Sequence, residues 1–145
     1  MTEKEKSLLD KLGVKIGHKT SHSRTISEQD INTFAELSGD FNPVHVNEDY
    51  ARKTFFKGRI AHGTISIGLL SAAMAKLPGL PIFLGQDIKF LKPVRIGDTI
   101  TATAEVIDMR HDKAILTLRN SCTNQNGEVV IDGTATARLF PAPED

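Results

Sequence analysis

Asp40 and His45 stand five residues apart in Ser38-Gly39-Asp40-Phe41-Asn42-Pro43-Val44-His45, and His62-Gly63 follows at the head of an apolar, small-residue segment. An ionised carboxylate only accepts hydrogen bonds, whereas an imidazole gains and loses a proton near neutral pH, so the two converging on one water could activate it. Asn42-Pro43 biases the chain toward an extended or turn geometry, which predicts both groups on a shaped loop rather than along a helix face. A helix beginning near Gly63 would aim free backbone N–H groups at a developing negative charge, and glycine puts no side chain in the way. Water activation beside an anion-stabilising terminus is the equipment for adding water across a double bond polarised by a carbonyl.

Each residue also has a plainer reading. Asp40 could cap the following turn and His45 could be a satisfied polar residue beneath it. His62 reads as supporting structure at a helix start, and Ser71 as a bond either to a substrate or to its own helix's carbonyl. Asp40, His45 and His62 are three potential metal ligands, yet no His-x-x-x-His or Cys-x-x-Cys spacing accompanies them, so no metal is expected. Cys122 falls inside a predicted strand and reads as a small buried apolar group, not a nucleophile. Gly79, Gly85 and Gly97 are spaced for turns and bulges, and no glycine-rich phosphate loop or other cofactor signature is present.

The elements that must position these groups follow from pattern. Residues 1–12 read as an N-terminal extension outside the core, with Leu8, Leu9 and Leu12 forming a small apolar stripe. Residues 14–26 alternate as an opening strand. Ser27 supplies an N-cap for a helix over 28–37 that Gly39 ends, and Asn47 caps a short helix over 48–54. Residues 60–77 are apolar or small on nearly every face, which predicts a buried central helix stopped by Pro78-Gly79. Strands are predicted over 82–91, 99–109, 114–123 and 129–139, most economically as four successive antiparallel partners. The class is α+β, one sheet wrapped on one long helix, with residues 13–140 as the domain and 141–145 as a frayed end.

The 145 residues suit one domain, and 39% hydrophobic with 25% charged residues is a globular composition. Eighteen basic residues balance eighteen acidic ones, so no net positive field favours nucleic acid. A single cysteine cannot form an intrachain disulfide, and the charged start at Met1–Lys6 resembles no signal or transit sequence. The expectation is a cytoplasmic protein with no membrane span.

The run Ala35-Glu36-Leu37-Ser38-Gly39-Asp40-Phe41-Asn42-Pro43-Val44-His45, with Ala51 beyond it, resembles the hydratase motif of MaoC-like (R)-specific enoyl-CoA hydratases. Arg59-Ile60-Ala61-His62-Gly63 extends the resemblance, as does the more widely shared Phe90-Leu91-Lys92-Pro93-Val94-Arg95-Ile96-Gly97-Asp98, so it covers roughly residues 20–139. It implies a hot-dog fold, a long helix gripped by a curved antiparallel sheet, assembled as a homodimer. It further implies that Asp40 and His45 hold and activate water, that the Gly63 N–H lies in an oxyanion hole, that Asn42 supports the loop, and that Ser71 occupies a polar pocket position. The implied reaction is reversible syn addition of water to a trans-2-enoyl-CoA thioester, giving an (R)-3-hydroxyacyl thioester without a cofactor. Arg52 stands where some members carry serine, a difference that bears on loop packing.

Three rivals share the scaffold: a dehydratase acting on acyl-carrier-protein thioesters, a hot-dog thioesterase, and a non-catalytic acyl-CoA-binding module. The Asp40/His45 pair argues against the second, and its presence together with Gly63 against the third. Lys89, Lys92 and Arg95 could meet a CoA phosphate or an acidic carrier protein, or form a solvated rim.

Overall fold

A computed structural model describes residue 2 and residues 5–144; the expectations placed on Met1, Glu3, Lys4 and Asp145 lie outside the described residues. The elements in chain order are α1 (Leu8–Leu12), β1 (Lys19–Thr25), α2 (Glu28–Ser38), α3 (Pro43–Val46), α4 (Glu48–Arg52), α5 (Gly63–Met74), β2 (Leu80–Phe90), β3 (Thr99–Arg110), β4 (Ile115–Thr123) and β5 (Val129–Phe140). All five strands join one antiparallel sheet in the order β1-β3-β4-β5-β2. This bears out the α+β expectation and corrects its pairing. β2 does not lie beside β3; it pairs with β5, with Leu80 opposite Phe140 and Phe90 opposite Ile131, and so forms an edge.

Strict alternation sets the inner face. Ile100, Ala102, Ala104 and Val106 of β3, and Leu116, Leu118, Asn120 and Cys122 of β4, are buried while their neighbours are less so. α5 packs across β1, β2, β3 and β4 on that face. Its Ala73 and Met74 join Leu77, Val106, Leu116, Leu118 and Leu139 in one apolar cluster, and its Leu69 and Leu70 join Ile26, Ile31, Ile100, Cys122 and Ile131 in a second. The buried amide of Asn120 accepts from Gln86 Nε2 at 2.8 Å, which satisfies a polar group that alternation places inside.

Two expectations about burial change. α5 is covered on one side only: Thr64, Gly68, Ser71 and Ala75 form an exposed stripe, and the space beside Gly68 is open. The N-terminal segment is not outside the core. A reciprocal capping box between Ser7 and Asp10 starts α1, and the turn drives Leu9, fully buried, into the cluster built on β5 and Leu77. The opening strand is shorter than 14–26 because Gly17, at φ 90°, turns the chain before Lys19.

The nucleophile question closes on Cys122. Its thiol is buried and desolvation pushes its pKa up to about 12, so the reactive thiolate is absent at ordinary pH. The expected outcome is that iodoacetamide at pH 8 leaves the native protein unlabelled by mass spectrometry and labels it stoichiometrically in denaturant. No helix among the described residues is long and apolar enough to cross a membrane.

Candidate active site

α2 delivers the chain to the site. Ser27 and Asp30 cap it reciprocally, Arg24 holds the Asp30 carboxyl down to about 2, and Gly39 ends it in the left-handed region at φ 82°. Asp40 follows at once, its N–H donating to Ser38 Oγ at 3.1 Å and its Oδ1 accepting from Asn42 N–H at 3.2 Å.

The sequence reading of a loop from Asp40 to His45 needs correction at its second half. Asn42 is an N-cap whose Oδ1 accepts from Val44 N–H at 3.2 Å, Pro43 is the first helical residue, and His45 sits in the single turn of α3. Proline suits a first turn because its missing N–H would have had no partner there. Asn-Pro is therefore a helix-start signal here, and Asn42 supports the site as a cap.

His45 is half-buried and its Nδ1 lies 2.8 Å from the Ile60 carbonyl. A carbonyl only accepts, so Nδ1 carries the hydrogen and the neutral ring presents a lone pair at Nε2. The same turn is anchored by Arg59, itself buried. Its Nε donates to the His45 carbonyl at 2.6 Å, Nη1 to Glu28 at 2.8 Å and Nη2 to Asn32 at 3.2 Å. Three acceptors around one planar fork is a task for guanidinium. Arg59→Met is expected to lower stability by on the order of 2 kcal/mol in urea unfolding, the scale of lost charge-assisted hydrogen bonds, and Arg59→Lys to leave most of that loss in place.

His62 is the N-cap of α5 and makes no side-chain cap bond, unlike Ser7, Ser27, Asn42 and Asn47 at the other four helix starts among the described residues. Of the first N–H groups of α5, that of Ile65 turns back to the His62 carbonyl at 3.1 Å, which leaves those of Gly63 and Thr64 without an intrahelical or side-chain partner. They open onto a cavity of about 410 Å³ lined by Asp40, His45, His62, Gly63, Thr64 and Ser66, with Phe56, Phe90, Leu91 and Ile131 as its apolar walls. A Cβ on Gly63 would lie 2.5 Å from the Phe90 ring, so glycine is what lets the ring close over the helix start.

The structure thus brings Asp40, His45, His62 and Gly63 together, while Ser71 is exposed on the uncovered stripe of α5 and lines no part of the cavity. Asp40, His45 and His62 each offer a ligand atom within 4.8 Å of the others. Each imidazole donates one N–H to a backbone carbonyl, His45 to Ile60 and His62 to Asp40, which fixes the tautomer and orientation of both rings. Pattern reading missed Ser66, Phe90 and Arg59. Only Arg59 carried a signal, a cation directly before the apolar pair Ile60-Ala61 that leads to His62. Of the three basic candidates, Lys92 lines the cavity mouth and is ion-paired with Glu128, Arg95 donates to the Gly58 carbonyl at 3.2 Å, and Lys89 is exposed on β2.

The family described as MaoC like domain matches residues 13–126. An "(R)-specific enoyl-CoA hydratase" of Rhodospirillum rubrum is 52% identical over 131 residues, covering 89% of this chain and 90% of its own. A mitochondrial "3-hydroxyacyl-[acyl-carrier-protein] dehydratase" of Arabidopsis thaliana is 36% identical, over 92% of this chain and 82% of its own. The solved structure of an (R)-hydratase from Aeromonas caviae superposes with a TM-score of 0.83 at 36% identity, covering 88% of this chain and 98% of that one.

Proposed function

The chain belongs to the MaoC-like family, and from that premise we propose that it is an (R)-specific enoyl-CoA hydratase in which Asp40, His45 and the N–H of Gly63 perform the chemistry. The observation that carries this reading is the convergence, in one cavity, of a carboxylate, an imidazole with a free Nε2 and the one helix start without a side-chain cap among the described residues.

A trans-2-enoyl thioester enters with its carbonyl oxygen at Gly63. The N–H polarises it and meets the charge that builds as the enolate forms. Water held between the Asp40 carboxylate and His45 Nε2 loses a proton to the imidazole as its oxygen attacks the β carbon. The imidazolium, stabilised by Asp40, then returns a proton to the α carbon. Oxygen and proton both come from the dyad's side, so the addition is syn, and reversal gives dehydration. No cofactor enters any step.

The uncovered surfaces suit a second copy of the chain. β2 is an edge strand with one side unpaired, carrying exposed Ile82, Leu84 and Phe90 with exposed Leu91 just beyond it, and the small-residue stripe with Ser71 lies open on α5. A homodimer would cover both and give Ser71 a polar pocket role that the single chain does not. A cytoplasmic setting suits a free, buried thiol.

The carrier-protein dehydratase is the second reading, favoured by the plant relative. Rates on crotonyl-CoA and crotonyl-acyl carrier protein separate the two. Faster turnover of the CoA thioester supports the hydratase, and strong preference for the carrier protein overturns it. Release of free thiol outpacing hydration would instead mark a thioesterase.

A further inference from the structure

The geometry points to His62 as a positioning residue that ties the exposed Asp40 loop to the start of α5 through a single N–H. This role rests on the hydration reading for its kinetic consequence but not for its structural one. His62 Nε2 donates to the Asp40 backbone carbonyl at 2.9 Å, across 22 residues of sequence. Every other hydrogen bond of Asp40 stays between residues 38 and 42: its N–H donates to Ser38 and its carboxylate accepts from Asn42. Phe41 N–H likewise donates only to Gly39. The loop from Ser38 to Asn42 is exposed throughout, and its local bonds, Asn42 N–H to the Asp40 carboxylate and His45 N–H to the Asn42 carbonyl at 2.9 Å, link it to α3; the bond from His62 is what sets its distance from the head of α5.

His62 is placed to set that distance. Its ring is 1% exposed, lies 4.8 Å from the Phe34 ring and 4.1 Å from the His45 ring, and its backbone leads directly into Gly63. One residue therefore touches the carboxylate's loop, the base's ring face and the oxyanion donor's peptide. Its Nδ1 is buried without a partner. Because the carbonyl fixes the hydrogen on Nε2, Nδ1 is a bare acceptor, a cost an apolar side chain of similar size would avoid. What histidine adds at this position over leucine or phenylalanine is the N–H to Asp40.

The test separates that hydrogen bond from ring packing. Gln places its amide N–H near the position of Nε2, whereas His62→Leu and His62→Phe lack a donor and Phe keeps the ring. In the purified enzyme, crotonyl-CoA hydration by both donorless variants is expected to fall about thirtyfold in kcat with KM changed less than about threefold, the signature of misplaced catalytic groups. His62→Gln should stand at least about tenfold above them. Amide hydrogen exchange at Asp40, Phe41 and Asn42 should accelerate in the Leu and Phe variants and stay near wild type in the Gln variant. His62→Phe as active as wild type, with Gln slow, would show packing instead and overturn the proposal. So would unchanged loop exchange in the donorless variants. A wild-type enzyme that fails to hydrate crotonyl-CoA, with loop exchange responding as stated, would overturn the hydratase reading and leave the tether supported.

Discussion

Asp40→Asn and His45→Gln are each expected to slow hydration of an enoyl-CoA at least about a hundredfold, the lower end for lost acid–base catalysis, with thermal unfolding little changed. The two changes act differently. Asn at 40 keeps the size and one acceptor oxygen but removes the charge that stabilises the imidazolium and orients water. Its effect should fall on kcat, since the substrate's carbonyl still meets Gly63. Gln at 45 keeps a polar side chain of similar reach, and α3 keeps its anchor through Arg59, which donates to the backbone carbonyl of residue 45. What it lacks is a nitrogen that can take a proton. On the proposal that both residues serve one water, the double variant should be scarcely slower than either single one, the non-additivity of groups that work as a unit. Stopped assays of kcat and KM on crotonyl-CoA, with circular dichroism to verify folding, check this. Near-wild-type activity in either variant would contradict the assignment.

Gly63→Ala is expected to cost a similar hundredfold in kcat/KM, the scale of one lost oxyanion donor. The added Cβ would lie 2.5 Å from one carbon of the Phe90 ring and 2.7 Å from another. These are the far atoms of a half-exposed side chain, so the ring can swing away and the fold should survive. What changes is the mouth of the site. The methyl group occupies the approach to the first N–H of α5, and the displaced ring disturbs the wall beside it. Gly63→Ala combined with Phe90→Ala separates the two effects. If the ring's displacement carries the loss, the double variant recovers activity; if the methyl blocks the N–H, it does not. The oxyanion role predicts no recovery.

How much of this was legible in the sequence depended on range. Local signals were read directly: Ser27 and Asn47 as caps, Gly39 as a helix stop, and the alternation of β3 and β4 as a half-buried sheet. These depend on residues a few positions apart. The pairing of β2 with β5 depends instead on which edge is free after β3, β4 and β5 have paired in turn, and nothing in the β2 sequence encodes it. α3 was missed because Asn42-Pro43 signals a turn and a helix start equally well, and the helix it starts is only four residues long. The burial of Leu9 was missed because a five-residue helix has too short a period to show which partner its stripe will find. Asp40, His45 and Gly63 were visible as chemistry-bearing types near a helix start. Arg59 as an anchor and Phe90 as a wall became visible only once the sheet brought residues 45, 59, 63 and 90 to one end of α5.

The most direct measurement is hydration of crotonyl-CoA in deuterium oxide, followed by chiral chromatography and proton NMR of the 3-hydroxybutyryl product. The likeness to (R)-specific hydratases predicts the (R) configuration at carbon 3, and oxygen and proton delivered from one dyad predict a single deuterium at carbon 2, on the face that received oxygen. An (S) product, or deuterium on the opposite face, would contradict it.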